Sequence, residues 1–523
     1  MFPEVNSRSA RECLILPMNP HYQWWLVACL FVAAIAVRMV YIDTIDFTPM
    51  RQHRSAIIAR AYYYEGNASI PEWKREVSAI QMKQQGILEP PIMEWLAASA
   101  YRIAGGEHLF IPRALSAMWW VVGGMVLFLL ARRLLSVDEA MIATAFYLLL
   151  PFGVLASRSF QPDPLMVMWL LLGLFSLGRY YQARSLPRLL LAAGASSVAV
   201  LVKPQCLFLL LGGTIGLSAV TMGVRNMMRD WGGAAYLLLS LVPCGLYYGI
   251  RYVSNPSMAE NSLAWVDVDL WLTPTFWAGW LAQIHLVVGF PAFAAALVGA
   301  AWFHRGAGKA LLAGLWGGYA VFGLAFPYHI STHDYYQLPL IPVVGLSLAP
   351  LLLVLWEQVG LAIENRAVKA GIVLSCMLLA IAADGIKIVE NNFDRHARWQ
   401  KNERLIAPEI GRLVNHSTKT VFLSISGGLP LQYYGELGGH EYWHRNEAIS
   451  KFIKEAGRGN PAERLTEAYL GFQPEYFIVT EILEYKKQPE LQEFLSQHHP
   501  VLAQSTDYVI FDLRSNIDGR GMP

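Results

Sequence analysis

Charged residues are scarce in this sequence: Asp, Glu, Lys and Arg make up 15% of its 523 residues, whereas hydrophobic residues make up 55%. A soluble domain carries roughly 25% charged residues. The scarcity, the mean hydropathy of +0.35 and the repeated long apolar runs exclude an ordinary soluble protein and predict one that crosses a membrane several times. A strong charge of either sign is also missing, because the formal net charge is +2. This balance gives no basis for nucleic-acid binding.

Cysteine is rare as well, with five residues in the chain. One lies in the N-terminal tail and the others lie in apolar segments, without a Cys-x-x-Cys pair or a cluster with histidine. The sequence therefore predicts neither a disulfide framework nor a thiolate metal site. A small-residue cleavage site is missing after the first apolar run, residues 23–42, so we expect an uncleaved first span rather than a signal peptide.

About eleven segments are apolar over much of the length that a spanning helix needs, roughly 20 residues. They lie near residues 23–42, 112–131, 138–155, 164–178, 189–202, 205–222, 232–250, 285–303, 309–326, 338–356 and 370–386. Lys and Arg residues of alternate loops fall on one side if the N-terminus is cytoplasmic. We therefore expect a multi-pass protein of the cytoplasmic (inner) membrane with its C-terminal part outside, in the periplasm.

Two of the expected outside segments are large. Residues 43–111 contain SAIIARAYYY and PIMEWLAASAYRIAG, whose apolar residues recur at helical spacing, and we expect helices along the membrane surface. Residues 387–523 alternate strand-like with helical runs, which predicts an extracytoplasmic α/β domain. The predicted domains are thus a transmembrane domain over 1–386, with 43–111 as its first outer loop, and an α/β domain over 387–523.

Polar side chains recur at the outer ends of separate spans. They are Asp43, Asp46, Arg51, Gln52, His53 and Arg54 after the first span, Glu89 in LEPPIMEW, Arg158 and Asp163 in SRSFQPDPLM, Lys203 before a proline, and His329, His333, Asp334, Tyr335, Tyr336 and Gln337 in PYHISTHDYYQLPLIP. Ionisable groups near lipid are costly and are therefore functional candidates. Their convergence on one membrane face would suit an amphiphilic ligand with a phosphate head and a lipid tail.

Each of these features has a simpler interpretation when taken alone. Asp43 or Asp46 could cap the following helix, the arginines could bind lipid phosphates, QPDP could be a rigid turn, and YHISTHDYY could belong to an interfacial aromatic belt. His329 and His333 are four residues apart and could hold a divalent metal, although no cofactor is predicted with certainty. The joint pattern is more specific than any of its parts.

Several motifs appear together in a characteristic order: MRQHRSAIIAR, EPPIMEWLAA, IPRALSA, LPFGVLASRSFQPDPLM, LVKP and HDYYQLPLIP. With them, the sequence over about residues 20–360 resembles the lipid-carrier-dependent glycosyltransferases of family 39, of the PMT type with the GT-C fold. Relatives include protein O-mannosyltransferases and the bacterial transferase that adds aminoarabinose to lipid A. The resemblance implies a polyprenyl-phosphate-linked sugar as donor, used at the outer membrane face, and an inverting transfer to a hydroxyl of a lipid, glycan or protein acceptor.

The resemblance also implies two carboxylates, a general base in the first outer loop and a second one between the third and fourth spans. Asp163 matches the second position. RQHR lacks the acidic residue that many relatives carry before the following helix, so Asp46 is the predicted base and Asp43 the alternative. Glu89-Pro90-Pro91 stands where the aminoarabinose enzyme has Lys-Pro-Pro.

The remaining candidates suit the binding of such a donor. A leaving phosphate needs positive charge, which Arg51, Arg54, Arg158 and Lys203 could supply by charge-assisted hydrogen bonds. The aromatic residues Trp95, Tyr335 and Tyr336 could stack on a sugar or line the lipid tail.

Two other functions fit parts of the pattern. A transporter for a lipid-linked saccharide also needs polar groups at membrane depth, but it usually shows two related halves, and the sequence contains no such repeat. A non-catalytic assembly protein that binds lipid-linked saccharides would explain the missing acid in RQHR.

Overall fold

Helices account for most of the structure, which is a computed structural model. It describes residues 20–45, 47–86, 89–254, 268–303, 306–363, 365–393, 395–442, 444, 465 and 472–515. The described residues form two compact units. The first holds those of Met1–Asp43, Leu88–Met93 and Pro112–Val389, and the second holds those of Thr44–Ile87, Glu94–Ile111 and Glu390–Pro523.

The elements are as follows in chain order. The helices are α1 (Pro20–Met39), α2 (Pro49–Tyr64), α3 (Glu72–Gln84), α4 (Ile92–Ala104), α5 (Phe110–Leu134), α6 (Val137–Leu149), α7 (Pro151–Ser157), α8 (Asp163–Gln182), α9 (Leu186–Val202), α10 (Leu207–Met222), α11 (Trp231–Ser254), α12 (Pro274–Val288), α13 (Phe290–Trp302), α14 (Ala307–Ala325), α15 (Pro327–Thr332), α16 (Leu340–Ala362), α17 (Arg366–Phe393), α18 (Arg395–Leu413), α19 (Leu429–Gly435), α20 (Ile482–Lys486) and α21 (Pro489–His498). Short 3₁₀ turns cover Pro204–Cys206, Met227–Arg229, Val268–Leu272, Asp334–Gln337 and Ile425–Gly428. The strands are β1 (Thr420–Leu423), β2 (Gly439–Glu441), β3 (Tyr476–Val479), β4 (Val501–Gln504) and β5 (Val509–Asp512).

The first unit contains the candidate membrane spans. Among the described residues, six helices are long and apolar enough to cross a membrane, and the number rises to eight if two bent pairs each count as one span. The pairs are α6 with α7, bent by 59°, and α12 with α13, bent by 91°. The other three predicted spans coincide with α1, α9 and α14, which are not among these candidates. The multi-spanning helical architecture is thus confirmed, while length and composition support fewer spans than the predicted eleven.

Close backbone contact joins α10 to α14 in this unit. A Cβ atom built on Gly212 would lie 2.0 Å from the carbonyl oxygen of Gly314, and one built on Gly314 would lie 2.0 Å from that of Gly212. One turn further along α10, a Cβ on Gly216 would lie 2.1 Å from the carbonyl oxygen of Ala310. Small residues four apart allow helices in a membrane to approach in this way, so these glycines fix how the two helices pack.

The second unit contains a five-stranded sheet in the order β2-β1-β3-β5-β4. Strands β2, β1 and β3 are parallel, and β5 and β4 continue the sheet in antiparallel fashion. Every residue of β1 and β3 is buried, as expected for strands covered on both faces. The predicted strands near 420–426, 475–482 and 507–513 are confirmed, whereas the short strands β2 and β4 were not predicted.

The helices α2 and α3 belong to this same unit. Helix α19 contacts both α2 and α18, so α2 packs against the C-terminal α/β part. The helical character predicted for residues 43–111 is confirmed by α2, α3 and α4. Their position on a membrane surface and the domain boundary at 386/387 remain predictions.

Candidate active site

Asp163 and Lys203 form a buried ion pair in the first unit. The Nζ atom of Lys203 donates a hydrogen bond of 2.9 Å to Oδ1 of Asp163, and the two side chains are 0% and 1% exposed. The same ammonium group lies over the rings of Tyr335 and Tyr336, 4.9 and 5.1 Å from their centroids. The structure therefore brings together four predicted site residues from three distant segments of the chain.

The local sequence explains the positions of Asp163 and Lys203 relative to their helices. Asp163 is the first residue of α8, where the partial positive charge of the helix N-terminus favours a carboxylate. Lys203 follows α9 and precedes Pro204, and its backbone is extended, with φ −152° and ψ 112°, as the following proline requires. Lys203 thus lies at the break between α9 and α10, and from there its side chain reaches Asp163.

One oxygen of Asp163 stands out chemically. Its Oδ2 atom is buried and has no hydrogen-bond partner among the described residues. A buried polar atom without a partner is destabilising, and such an atom in a folded protein calls for an explanation. A role in binding a substrate hydroxyl or stabilising positive charge would supply one.

Three arginines without exposed surface support the turn that leads to Asp163. Arg38 donates from Nε to Oγ of Ser157 at 2.8 Å, and Arg113 donates from Nε to the carbonyl oxygen of Arg158 at 2.9 Å. Arg158 itself donates from Nη2 to the carbonyl oxygen of Tyr41 at 2.6 Å. Sequence reasoning missed Arg38 and Arg113, although an arginine inside an apolar run is a signal that could have identified both.

Gln337 anchors the cluster formed by His329, His333, Tyr335 and Tyr336 through polar contacts. Gln337 donates from Nε2 to the carbonyl oxygen of Ile330 at 3.0 Å and accepts a hydrogen bond from Tyr319. His333 lies one residue beyond α15, in extended conformation, so His329 and His333 do not share a helix face. The centroids of their two rings are nevertheless 5.3 Å apart. No group of three His, Cys, Asp or Glu side chains that could hold a metal occurs among the described residues.

The predicted residues Arg51–Arg54 lie on α2, in the second unit. The Nδ1 atom of His53 lies 2.8 Å from the carbonyl oxygen of Pro49, and because a carbonyl only accepts, this nitrogen carries the proton. Arg54 donates from Nη2 to the carbonyl oxygens of Gln85 and Gly86, both at 2.8 Å. Gln52 is buried and donates to the carbonyl oxygen of Phe47, while Arg51 is half-buried.

The structure describes three of the four other predicted carboxylates. Asp46, the predicted base, lies outside the described residues. Asp43 is exposed, and Glu89 and Asp334 are half-buried. Trp95 is 56% exposed.

Glu94 is a buried carboxylate of the first outer segment that sequence reasoning missed. It is 8% exposed and accepts a hydrogen bond of 2.6 Å from Oγ of Ser55, on α2. It lies in the motif PIMEW, whose pattern predicts that it faces solvent on the polar side of an amphipathic helix. Its contact with α2 shows that it faces inward.

These features define a multi-spanning α-helical membrane protein with a small C-terminal β-sheet. Its buried carboxylate–lysine pair is lined by aromatic rings. Residues 88–248, which include Asp163 and Lys203, match the sequence profile of the family described as dolichyl-phosphate-mannose-protein mannosyltransferase. Among curated protein sequences, none matches the chain.

Solved structures show the same fold over nearly the whole chain. The crystal structure of ArnT from Cupriavidus metallidurans bound to undecaprenyl phosphate has a TM-score of 0.57 and 16% identity, over 93% of this chain and 97% of that one. Its apo structure has a TM-score of 0.59 and 16% identity, over 94% and 98%. The oligosaccharyltransferase AglB from Archaeoglobus fulgidus, in complex with an inhibitory peptide and a dolichol-phosphate, has a TM-score of 0.53 and 13% identity, over 92% and 73%. The predicted GT-C fold is confirmed, as is the resemblance to the family.

Proposed function

We propose that the protein is a membrane glycosyltransferase that moves a sugar from a polyprenyl-phosphate donor to an acceptor hydroxyl. The observation that carries the proposal is the buried Asp163–Lys203 pair, in which one carboxylate oxygen has no hydrogen-bond partner among the described residues and two tyrosine rings lie beside the lysine. Asp163 and Lys203 lie within residues 88–248, the segment that matches the mannosyltransferase family. The fold is shared with ArnT, whose structure contains undecaprenyl phosphate, and with AglB, whose structure contains a dolichol-phosphate.

Lys203 would stabilise the leaving group. An ammonium group has three donors, and one of them is directed to Asp163. The other donors can bind a phosphate oxygen of the donor lipid by charge-assisted hydrogen bonds. We include Arg51, Arg54 and Arg158 as further phosphate-binding candidates, together with Gln52 and His53.

The carboxylates would act on the acceptor and on the sugar. In the proposed step the acceptor oxygen forms a bond to the anomeric carbon, the bond from that carbon to the phosphate oxygen breaks, and a carboxylate takes the hydroxyl proton. A single displacement of this kind inverts the anomeric configuration. A base of this type contributes typically 10²–10⁴-fold, and a nearby carboxylate stabilises oxocarbenium character. We assign the base to Asp46, with Asp43 as the alternative, and the placing of the acceptor or base to Asp163.

The proposed reaction takes place at the outer face of the cytoplasmic membrane, with the N-terminus cytoplasmic and the C-terminal domain in the periplasm. The acceptor would be a lipid, a glycan or a protein. A divalent metal is not required by the proposed step, and His329 and His333 would supply two ligands if one bound.

Reconstitution into vesicles tests this function against its alternatives. Purified protein is placed in vesicles with polyprenyl-phosphate sugars extracted from its host together with the host's envelope acceptors, and mass spectrometry follows each lipid. A transferase consumes one donor and releases polyprenyl phosphate. Movement of the lipid-linked sugar between leaflets without its consumption would establish a transporter and contradict the proposal.

A further inference from the structure

Arg60 is a buried cation on α2 that has several partners within the second unit. Its Nε atom lies 2.9 and 3.1 Å from the two carboxylate oxygens of Glu107, and Nη1 donates to the carbonyl oxygen of Tyr433 at 2.6 Å. The centre of the guanidinium group lies 3.8 Å from the centroid of the Tyr433 ring. The guanidinium is therefore fixed in position by a carboxylate, a carbonyl and an aromatic face.

Glu107 joins these partners into one network. Its carboxylate also accepts hydrogen bonds from the hydroxyls of Tyr433 and Tyr64, the latter at 3.3 Å. The side chains of Arg60 and Glu107 are 8% and 11% exposed. Burial by itself lowers the pKa of Arg60, but the neighbouring Glu107 and Tyr433 raise it overall, so the guanidinium stays charged. A buried ion pair adds little net stability, whereas loss of one of its partners is strongly destabilising. The pair of Arg60 and Glu107 therefore favours the one arrangement of α2 in which both partners meet.

The same tyrosine reaches the RQHR motif. The ring of His53 lies 5.9 Å from that of Tyr433 and 5.5 Å from that of Tyr434, both edge-to-face. His53 and Arg60 are seven residues apart, which is about two helical turns. Helix α2 is thus held at two points by α19, and this fixes both its rotation and its position along its axis.

The position of α19 is set in turn by the sheet. The preceding residues Ser426, Gly427 and Gly428 have φ angles of 51°, 67° and 64°, a left-handed run that glycine tolerates best. A Cβ atom on Gly428 would lie 2.0 Å from the ring of Phe422 in β1. The tight approach ties the start of α19 to the buried face of β1, and through α19 the sheet sets the position of α2.

We propose that Glu107 and Tyr433 are positioning residues for glycosyl transfer. They hold α2, and with it Arg51, His53 and Arg54, in the orientation that the reaction requires, so the C-terminal α/β part serves as the scaffold of the first outer loop. The expected effect on kcat rests on the proposed function, because it requires that the protein transfers a sugar. The expected effect on the position of α2 does not depend on that function.

The test compares Glu107→Gln and Tyr433→Phe with Lys74→Gln. Lys74 on α3 forms an ion pair of 2.7 Å with Glu436, with side chains 30% and 21% exposed, so the control removes an ion pair that links α3, rather than α2, to the same C-terminal part. The measurements are kcat and KM for the lipid-linked donor per amount of folded protein, and hydrogen exchange of residues 49–64. Misplacement by about 1 Å can lower a rate about 100-fold. We expect Glu107→Gln to lower kcat by about that factor with a smaller change in KM, Tyr433→Phe to have a weaker effect, and the control to match the wild type.

A double-mutant cycle identifies the route of the effect. If the network acts through α2 and His53, the effects of Glu107→Gln and His53→Ala on kcat are less than additive, as for residues of one network. Additive effects, or an equal loss of kcat in the control, would overturn the positioning role.

Hydrogen exchange separates this proposal from the proposed function. Faster exchange of residues 49–64 in Glu107→Gln, with no change in the control, supports the positioning of α2 even if the wild type transfers no sugar. Unchanged exchange overturns the proposal whatever the activity.

Discussion

The Nζ atom of Lys203 lies 2.9 Å from Oδ1 of Asp163, and neither side chain is more than 1% exposed. The chain places the two residues at the start of α8 and at the break between α9 and α10. Removal of one partner of a buried pair leaves an uncompensated charge and costs about 3–5 kcal/mol. Substitutions here therefore affect stability as well as activity, and the two effects have to be separated.

Asp163→Asn is expected to lower glycosyl transfer by at least about 100-fold, because the carboxylate places the acceptor or the base. It should also destabilise the protein, since Lys203 is left buried without its counter-charge. The double variant Asp163→Asn with Lys203→Met removes both charges and should regain thermal stability without regaining activity. Transfer at the wild-type rate in Asp163→Asn would exclude Asp163 from the reaction.

Replacement of the rings over Lys203 should weaken donor binding. A cation over an aromatic face gains about 0.5–2 kcal/mol, so Tyr335→Leu or Tyr336→Leu should raise KM for the donor roughly 2- to 30-fold. The matched Tyr→Phe variants keep the ring and should stay near the wild-type value. Leu and Phe variants with the same KM would show that the rings do not contribute through Lys203.

Gly314→Ala should destabilise the membrane unit. Its new methyl group would lie 2.0 Å from the carbonyl oxygen of Gly212, whereas a methyl group on Gly317 of the same helix would have no atom of another described segment within 4 Å. Overpacking costs typically about 1–3 kcal/mol, while alanine in an open helical position gains about 0.5–1 kcal/mol over glycine. The midpoint of thermal unfolding in detergent should fall for Gly314→Ala and not for Gly317→Ala; equal midpoints would refute the close contact.

Glu403 should make the stability of the second unit depend on pH. Burial raises the pKa of Glu403 to about 7 from 4.5, even though Ser424 and Thr480 donate hydrogen bonds to it at 2.6 and 3.0 Å. Between these pH values the unfolded chain loses the proton that the folded protein keeps, so stability falls as pH rises, by about 3 kcal/mol in total.

Glu403→Gln should remove this loss of stability between pH 5 and pH 8, measured as the free energy of unfolding of the full-length protein. Glu409→Gln, an exposed carboxylate on the same helix, is the control and should keep it. The same pH dependence in Glu403→Gln and in the wild type would show that another group is responsible.

Local pattern was sufficient to predict Asp163, Lys203, Tyr335 and Tyr336, which the first unit brings together. QPDP marks the start of α8 and Lys203-Pro204 marks a break, because proline restricts the backbone around it. The spatial contact of residues 163, 203 and 335 depends on helix packing, which one sequence does not specify as a distance. The predicted spans exceed the six to eight that length and composition support among the described residues by α1, α9 and α14, which are not among the helices that qualify on these grounds.

The second unit was harder to predict for a different reason. Strand β2 is only three residues long, and β4 is mostly exposed without an alternation of buried and exposed residues. Glu107 follows two glycines in a polar loop and resembles a solvated residue, yet it is buried by Arg60 and Tyr433, which lie 47 and 326 residues away in the chain. Such long-range contacts become visible only when the fold is known.

The release of polyprenyl phosphate from a lipid-linked sugar tests the central claim most directly. Purified wild-type protein in detergent is mixed with polyprenyl-phosphate sugars and acceptor lipids or glycans from its host, beside the stabilised Asp163→Asn, Lys203→Met variant, and products are quantified by mass spectrometry. We predict that the wild type consumes one donor species and releases stoichiometric polyprenyl phosphate, while the variant does not. Release of polyprenyl phosphate at equal rates by both proteins would contradict the assignment of the reaction to this site.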